Sequence, residues 1–293
     1  MTGSAHTTGH YTTDDGHHLY WERHGTPGAE PVFFLHGGPG GRSSHDHLTF
    51  FDLSRFDVIL FDQRGCGRST PYGGLHHNDT GQAVDDIDAL RRHLGLDKIS
   101  LLGISWGSWL AIQYQQRYRS TLVKTTLVSV FVPFPGNISA YEYSLSDGLP
   151  ALTANDSTAK RIRRLYRALS VGNPGQQRQA AIEWIDAVSP RPGPAPSPSW
   201  VEDFVDEAAI RAIRLELHYH LNQYFYTPAD EGVSLDNNTL AIQGIKDRFG
   251  LASLRWLRQR TPVHCQLRNA GHNAFSASII KAVRTGLVRT AHP

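Results

Sequence analysis

Apolar residues along this chain fall into short continuous runs separated by longer amphipathic stretches. PVFFLHGG (31–38), FDVILFDQRG (56–65), KISLLGIS (98–105) and LVKTTLVSVFVP (122–133) are runs of strand length, and the first two end in glycines. Their β-branched and aromatic content predicts strands. Between Asp79 and Leu96 the apolar positions Val84, Ile87, Leu90 and Leu94 have helical spacing, while Asp85, Asp86 and Asp88 face elsewhere. WGSWLAIQYQQRY, after the third strand, predicts a second helix. Strands apolar on both faces and separated by helices imply a mostly parallel sheet covered on both sides.

The alternation stops at Pro133–Pro135. From there to about Asn238 the strand pattern is lost and helical periodicity takes over in AKRIRRLYRAL (159–169), QRQAAIEWIDAV (177–188) and EAAIRAIRLELHYHLNQYF (207–225), with a proline-rich linker, SPRPGPAPSPSW (189–200), between the last two. The alternation then resumes with a strand at TLAIQGIKD (239–247), a helix at LASLRWLRQ, a strand at VHCQLRNAG (263–271) and a terminal helix at SASIIKAVRTGLV. The expected organisation is an α/β core built from 1–133 and 238–293, with 134–237 inserted as a helical cap. No internal repeat is present.

Composition narrows the class. Over 293 residues, 29 Lys+Arg against 27 Asp+Glu leave a formal charge of +2, without the clustered basic excess that nucleic-acid or membrane-surface binding needs. Hydrophobic residues make up 40%, enough for a substantial core at this length. The N-terminal segment MTGSAHTTGHYTTDDGHH has neither a basic stretch followed by an apolar run nor a lipidation motif, and the longest apolar runs fall far short of the ~20 residues that span a bilayer. A cytoplasmic location is expected. The two cysteines, Cys66 and Cys265, lie in a glycine-rich loop and a predicted strand and are expected to be free thiols.

Candidate chemistry lies where strands end. Gly103-Ile104-Ser105-Trp106-Gly107 matches G-x-S-x-G, a pattern that composition alone would produce on the order of 0.2 times in such a chain. Its position decides, because it falls where an apolar strand gives way to a helix, the place where a strained turn lifts a serine hydroxyl above a sheet. A serine needs an imidazole to take its proton and a carboxylate to orient that imidazole. His272 follows the strand VHCQLRN, and Asp247 follows TLAIQGIK; Asp230 and Asp236 lie near but follow no strand. The order Ser105, Asp247, His272 is that of the α/β-hydrolase arrangement. Of the 16 histidines most must be inert, and His264, inside a predicted strand, reads as structural.

His36-Gly37-Gly38-Pro39-Gly40-Gly41 ends an earlier strand, and a glycine-rich loop lets backbone N–H groups approach a developing oxyanion. One donor is expected from Trp106 and the other from Gly37 or Gly38. The loop lacks the lysine and Ser/Thr of a phosphate-binding P-loop. Asp62-Gln63-Arg64-Gly65-Cys66-Gly67-Arg68-Ser69 reads as a tight loop held by internal ion pairs or backbone hydrogen bonds, with Cys66 near the pocket. HExxH and a clustered Cys/His ligand set are both absent, so no metal and no organic cofactor is expected.

HGGPGG, DQRGCGRS and GISWGS, in this order, resemble the prolyl aminopeptidase (proline iminopeptidase) branch of the α/β-hydrolase superfamily, with QGIKDRFG and NAGHNAF corresponding to the segments that carry its acid and histidine. The resemblance implies an α/β-hydrolase fold, Ser105, Asp247 and His272 as the triad, and Gly38 and Trp106 as oxyanion donors. Arg214-Leu215-Glu216-Leu217-His218-Tyr219 is similar to the family's R-x-E-x-H-Y segment, whose glutamate binds the substrate's free amino terminus; without the resemblance Glu216 reads as a solvated residue on a basic helix. The family supplies a second carboxylate from its cap, for which only Asp230 and Glu231 are available here, and the stretch 189–200 is unlike the family's cap. Three functions follow. The first is a serine aminopeptidase releasing an N-terminal proline or small residue from a small-molecule or short-peptide substrate. The second is an esterase or amidase with the same triad and a reshaped cap, and the third is a hydrolase-like binding protein. Oligomeric state is not readable.

Overall fold

The computed structural model describes residues 6–145, 157–188, 202–203 and 205–288. Eight strands form one sheet: β1 (Thr7–Thr12), β2 (His18–Gly25), β3 (Glu30–Leu35), β4 (Phe56–Phe61), β5 (Ile99–Ile104), β6 (Leu122–Val128), β7 (Thr239–Gly244) and β8 (His264–Arg268). Their spatial order is β1-β2-β4-β3-β5-β6-β7-β8. β2 pairs antiparallel with both β1 and β4, and every later pairing is parallel. The central strands are those the apolar runs predict. β4 is buried at all six positions, as a strand covered on both faces must be.

Helices α1 (Thr80–His93) and α2 (Trp106–Tyr118) cover one face, where Val84, Ile87 and Leu90 pack with Trp109, Ile112 and Tyr114. Asp79 caps α1 by accepting from the Gln82 N–H, which satisfies one of the free donors at the helix start. Asp86 and Asp88, polar positions in the α1 pattern, are buried and paired: Asp86 with Arg64 from the loop after β4, and Asp88 with Arg91 and Arg92. The terminal helix, labelled below, and a short 3-10 turn (His45–Phe50) cover the opposite face.

Four described helices lie between β6 and β7: α3 (Pro135–Ser144), α4 (Thr158–Val171), α5 (Pro174–Val188) and α6 (Glu207–Leu221). They build a small core of their own from Ile162, Leu165, Leu169, Trp184, Ile213 and Leu217. The proline-rich stretch 189–200 lies outside the described residues. α7 (Arg248–Arg258) and α8 (Ala277–Val288) follow β7 and β8. Both cysteines are free thiols. No described helix is long and apolar enough to cross a membrane.

Candidate active site

The sheet brings the glycine-rich loop and the candidate nucleophile together. In adjacent parallel strands Leu35 pairs with Gly103, so β3 and β5 end side by side. The chain leaves β3 toward β4 on one side and reaches β5 on the other, and ligand sites of open parallel sheets form at such reversals. Ser105 sits in the turn between β5 and α2 with φ 52° and ψ −119°, a conformation that costs a non-glycine residue roughly 1–3 kcal/mol. The Ser105 N–H donates to the Val128 carbonyl at 3.0 Å, which ties the turn to β6. Close packing explains both glycines of G-x-S-x-G. A Cβ at Gly107 would stand 2.1 Å from the Leu35 carbonyl oxygen, and one at Gly103 would stand 2.2 Å from that of Gly107.

Asp247 and His272 come from the neighbouring pair β7 and β8, which are in register through Gly244 and Arg268. Asp247 is the N-cap of α7 and accepts from the Gly250 N–H at 3.0 Å. Its other oxygen accepts from Gln243 Nε2 at 2.8 Å and faces His272 Nδ1 at 2.7 Å. His272 Nε2 lies 2.9 Å from Ser105 Oγ. Because a carboxylate only accepts, Nδ1 carries the proton and Nε2 is left to take the serine proton. Burial raises the Asp247 carboxyl, but the hydrogen bonds from His272, Gly250 and Gln243 outweigh it and hold the group below its ordinary value. His264, by contrast, is exposed at the start of the edge strand β8, not enclosed by it.

Gly37 lies against this group: a Cβ there would stand 3.5 Å from Ser105 Cβ. Gly38 has φ +135°, outside what a side chain tolerates, and its turn carries the loop past Ser105. As the first residue of α2, Trp106 has a backbone N–H with no acceptor inside the helix, so that donor is available above the sheet. Two glutamines that pattern reading passes over support these parts. Gln63 accepts from Trp106 Nε1 at 3.1 Å, donates to the His36 carbonyl at 2.9 Å, and its backbone N–H reaches His36 Nε2 at 3.0 Å. Gln243, besides holding Asp247, accepts from the Val130 N–H at 2.8 Å. The signal for Gln243 is a polar residue near the end of a largely apolar strand, and Gln63 lies two residues beyond the apolar β4.

The loop at 62–69 is held as its sequence suggests. Asp62 accepts from the Ser43 N–H and the Arg68 guanidinium, both at 2.8 Å, and Arg64 pairs with Asp86 and Asp15. α6 lies across the loops that follow β3 and β4. Arg214 donates to the Gly73 carbonyl at 2.8 Å, His218 Nε2 lies 2.9 Å from the Asn78 carbonyl, and the Tyr219 hydroxyl donates to Asn78 Oδ1 at 2.7 Å. Tyr219 and Tyr224 pack on the Trp106 ring, with centroids 5.1 and 5.6 Å away.

Glu216 keeps some accessible surface although protein crowds its carboxyl. Among the described residues its one hydrogen bond comes from Trp184 Nε1 at 3.1 Å. Burial raises its ionisation from 4.5 to about 7, against a small opposing effect of the Trp184 hydrogen bond. The reading of Glu216 as a solvated surface residue is therefore set aside. Asp230 and Glu231 have other partners: Asp230 binds Gln113 and caps the turn at Thr227, and Glu231 pairs with Arg260 and Tyr226.

The α/β-hydrolase fold family matches residues 30–276. A probable proline iminopeptidase of Leptolyngbya boryana is 30% identical over 91% of this chain and 88% of its own length. The chain belongs to the α/β-hydrolase family, in its prolyl aminopeptidase branch. Proline iminopeptidase of Neisseria meningitidis serogroup B is likewise 30% identical, over 94% of this chain and 93% of its own. Among solved structures, a proline iminopeptidase-related protein from Thermus thermophilus superposes with a TM-score of 0.65 at 20% identity, covering 97% of this chain and 98% of the other. This α/β-hydrolase is a hydrolytic enzyme by family, and its G-x-S-x-G turn, Asp247 and His272 stand just beyond the carboxyl ends of β5, β7 and β8, where the fold carries its sites.

Proposed function

We propose that this hydrolase is a serine aminopeptidase that releases an N-terminal proline or other small residue from a short peptide or amide. The observation that carries the reading is the hydrogen-bonded line from Asp247 through His272 to Ser105, with bonds of 2.7 and 2.9 Å. His272 Nε2 takes the Ser105 proton as Oγ attacks the substrate carbonyl. The resulting oxyanion is held by the N–H groups of Trp106 and Gly38. The imidazolium then gives its proton to the leaving nitrogen, and the C–N bond breaks to leave an acyl-serine. A water, deprotonated by His272, attacks that ester, and collapse returns the proton to Ser105. The helical segment 134–237 acts as a cap, and Glu216 meets the substrate's ammonium; a buried carboxylate is the simplest partner for such a cation.

A second reading keeps the triad and changes the substrate to an ester or amide of one small molecule. It is favoured by the engagement of Asp230 and Glu231 elsewhere, which leaves Glu216 as the only carboxylate of these three still open to a ligand. Rates on proline p-nitroanilide, its N-acylated form and a short-chain p-nitrophenyl ester separate the two. Fast cleavage of the free-amine anilide alone supports the aminopeptidase, and ester turnover with neither anilide cut supports the second reading. Wild-type turnover in a folded Ser105→Ala protein refutes both. Failure of a fluorophosphonate probe to label Ser105 in folded protein points instead to a hydrolase-like binding protein.

A further inference from the structure

On β2, next to the edge strand β1, two histidines and a glutamate converge without any motif spacing. Glu22 and His24 are two residues apart on β2 and so point to the same face, the one covered by the 3-10 turn that begins at His45. Glu22 Oε2 lies 3.3 Å from His45 Nε2 and 3.5 Å from His24 Nε2, and one ligand atom from each residue falls within 4.8 Å of the others. The two imidazole rings meet edge-on, 5.0 Å apart at 72°. The other Glu22 oxygen accepts from Arg68 Nη1 at 3.1 Å.

These distances discriminate between two explanations. The His45 contact with Glu22 at 3.3 Å is a long hydrogen bond, and both separations exceed the about 2.7–2.9 Å of a charge-assisted one. Four-coordinate zinc, with bonds of about 2.0–2.1 Å, sets its ligand atoms roughly 3.3–3.4 Å apart at the tetrahedral angle. The 3.3 Å edge to His45 matches that figure, and the 3.5 Å edge to His24 is slightly longer. The Glu22 and His24 side chains are almost fully enclosed, at 4% and 1% exposure, while His45 is 52% exposed and opens the group to solvent on one side. That opening supplies an entry path and a position for a water as fourth ligand. Arg68 fixes the carboxylate from its other oxygen, as the outer partners of metal ligands do.

We propose that Glu22, His24 and His45 bind one divalent transition-metal ion of the zinc class, apart from the Ser105 group. The site is structural. Arg68 bonds both Glu22 and Asp62, and Asp62 holds the backbone of Ser43, just beyond the glycine-rich loop, so an ion on Glu22 braces the root of that loop.

The test uses the full chain, stripped by a chelating resin and titrated with Zn²⁺ against a chromophoric chelator, and with Co²⁺ for the intense visible bands of four-coordination. The expected result is one tight equivalent that raises Tm, weakened at least ~10-fold in His45→Ala and unchanged in His76→Ala, which removes one of the two adjacent histidines His76 and His77. His45→Gln repeats the measurement should the alanine variant fold poorly. Absence of a tight equivalent in the wild type, equal affinity in the His45 variants, or loss only in His76→Ala overturns the proposal.

Discussion

A carboxyl kept ready for a cation carries a stability cost, and Glu216 lets that cost be measured. Burial lifts its ionisation in the folded protein from 4.5 to about 7. Between those values the folded state holds a proton that the unfolded chain has released, so stability falls as pH rises through the window. Each pH unit of displacement corresponds to about 1.4 kcal/mol. The full interval, 4.5 to about 7, therefore amounts to roughly 3 kcal/mol of lost stability above pH 7 and none below 4.5. Glu216→Gln removes the ionisation while keeping an oxygen for the Trp184 N–H. Urea unfolding at pH 8 is expected to show the variant more stable by up to ~3 kcal/mol, and at pH 4.5 to show the two proteins nearly equal. The gain comes with a functional loss: kcat/KM on free-amine proline anilide falls by at least ~10-fold, while a p-nitrophenyl ester, which has no ammonium, is cut as before. A stability difference that does not change between pH 4.5 and pH 8 refutes the electrostatic argument. Equal loss on both substrates refutes the ammonium contact.

The same pH series predicts the activity profile: kcat/KM on the amine substrate gains a limb near pH 7 that the ester profile lacks, and Glu216→Gln abolishes the difference. Asp247→Asn is expected to fold and to lose kcat on the order of 10⁴-fold, since an amide that donates to Nδ1 stabilises the wrong tautomer of His272; a loss under tenfold counts against the assigned role. Gly244→Ala places a Cβ 2.3 Å from the Gly271 carbonyl oxygen, displaces the segment that carries His272, and is expected to lower both Tm and kcat; a fully active, stable variant contradicts the packing. Burial raises the Cys66 thiol to about 12, so iodoacetamide at pH 8 is expected to leave Cys66 unmodified in folded protein and to alkylate it in urea, as read by peptide mass mapping.

The central strands are legible in the sequence because both of their faces are buried, which forces continuous apolar runs such as FDVILF. The site is legible for a related reason. Parallel strands all end on one side of the sheet, so residues placed just after strands meet in space whatever their separation in sequence. Ser105 and His272 are 167 positions apart in the chain, and their side chains stand 2.9 Å apart. The chain order of the acid and the histidine adds to this, since Asp247 follows β7 and His272, which reaches Ser105 Oγ, follows β8. Asp230 and Asp236, equally acidic and nearby in sequence, follow no strand and pair with Gln113 and Arg119 instead.

Where the reading stops, polar residues occupy positions that a pattern counts as surface. β1 and β2 are not visible in the pattern because their residues look like a polar leader: TTGHYT and HLYWERHG. In β2 the inward positions of one face are Glu22 and His24, opposite Leu60 and Val58 of β4. Periodicity scores only transfer free energy, so an inward glutamate erases the alternation that would reveal a strand. Glu216 fails in the same way, as one carboxyl among arginines on α6, enclosed only once α5 and the turn at Tyr224 pack over it. Burying a carboxylate without a cation is unfavourable, so each enclosed glutamate calls for a partner. Glu22 has Arg68 on one oxygen and the two imidazoles on the other. Glu216 has a single indole N–H, and among the described residues no cation pairs with it. That difference separates the two glutamates: Glu22 is compensated within the fold, and Glu216 is the one whose proposed partner is the substrate.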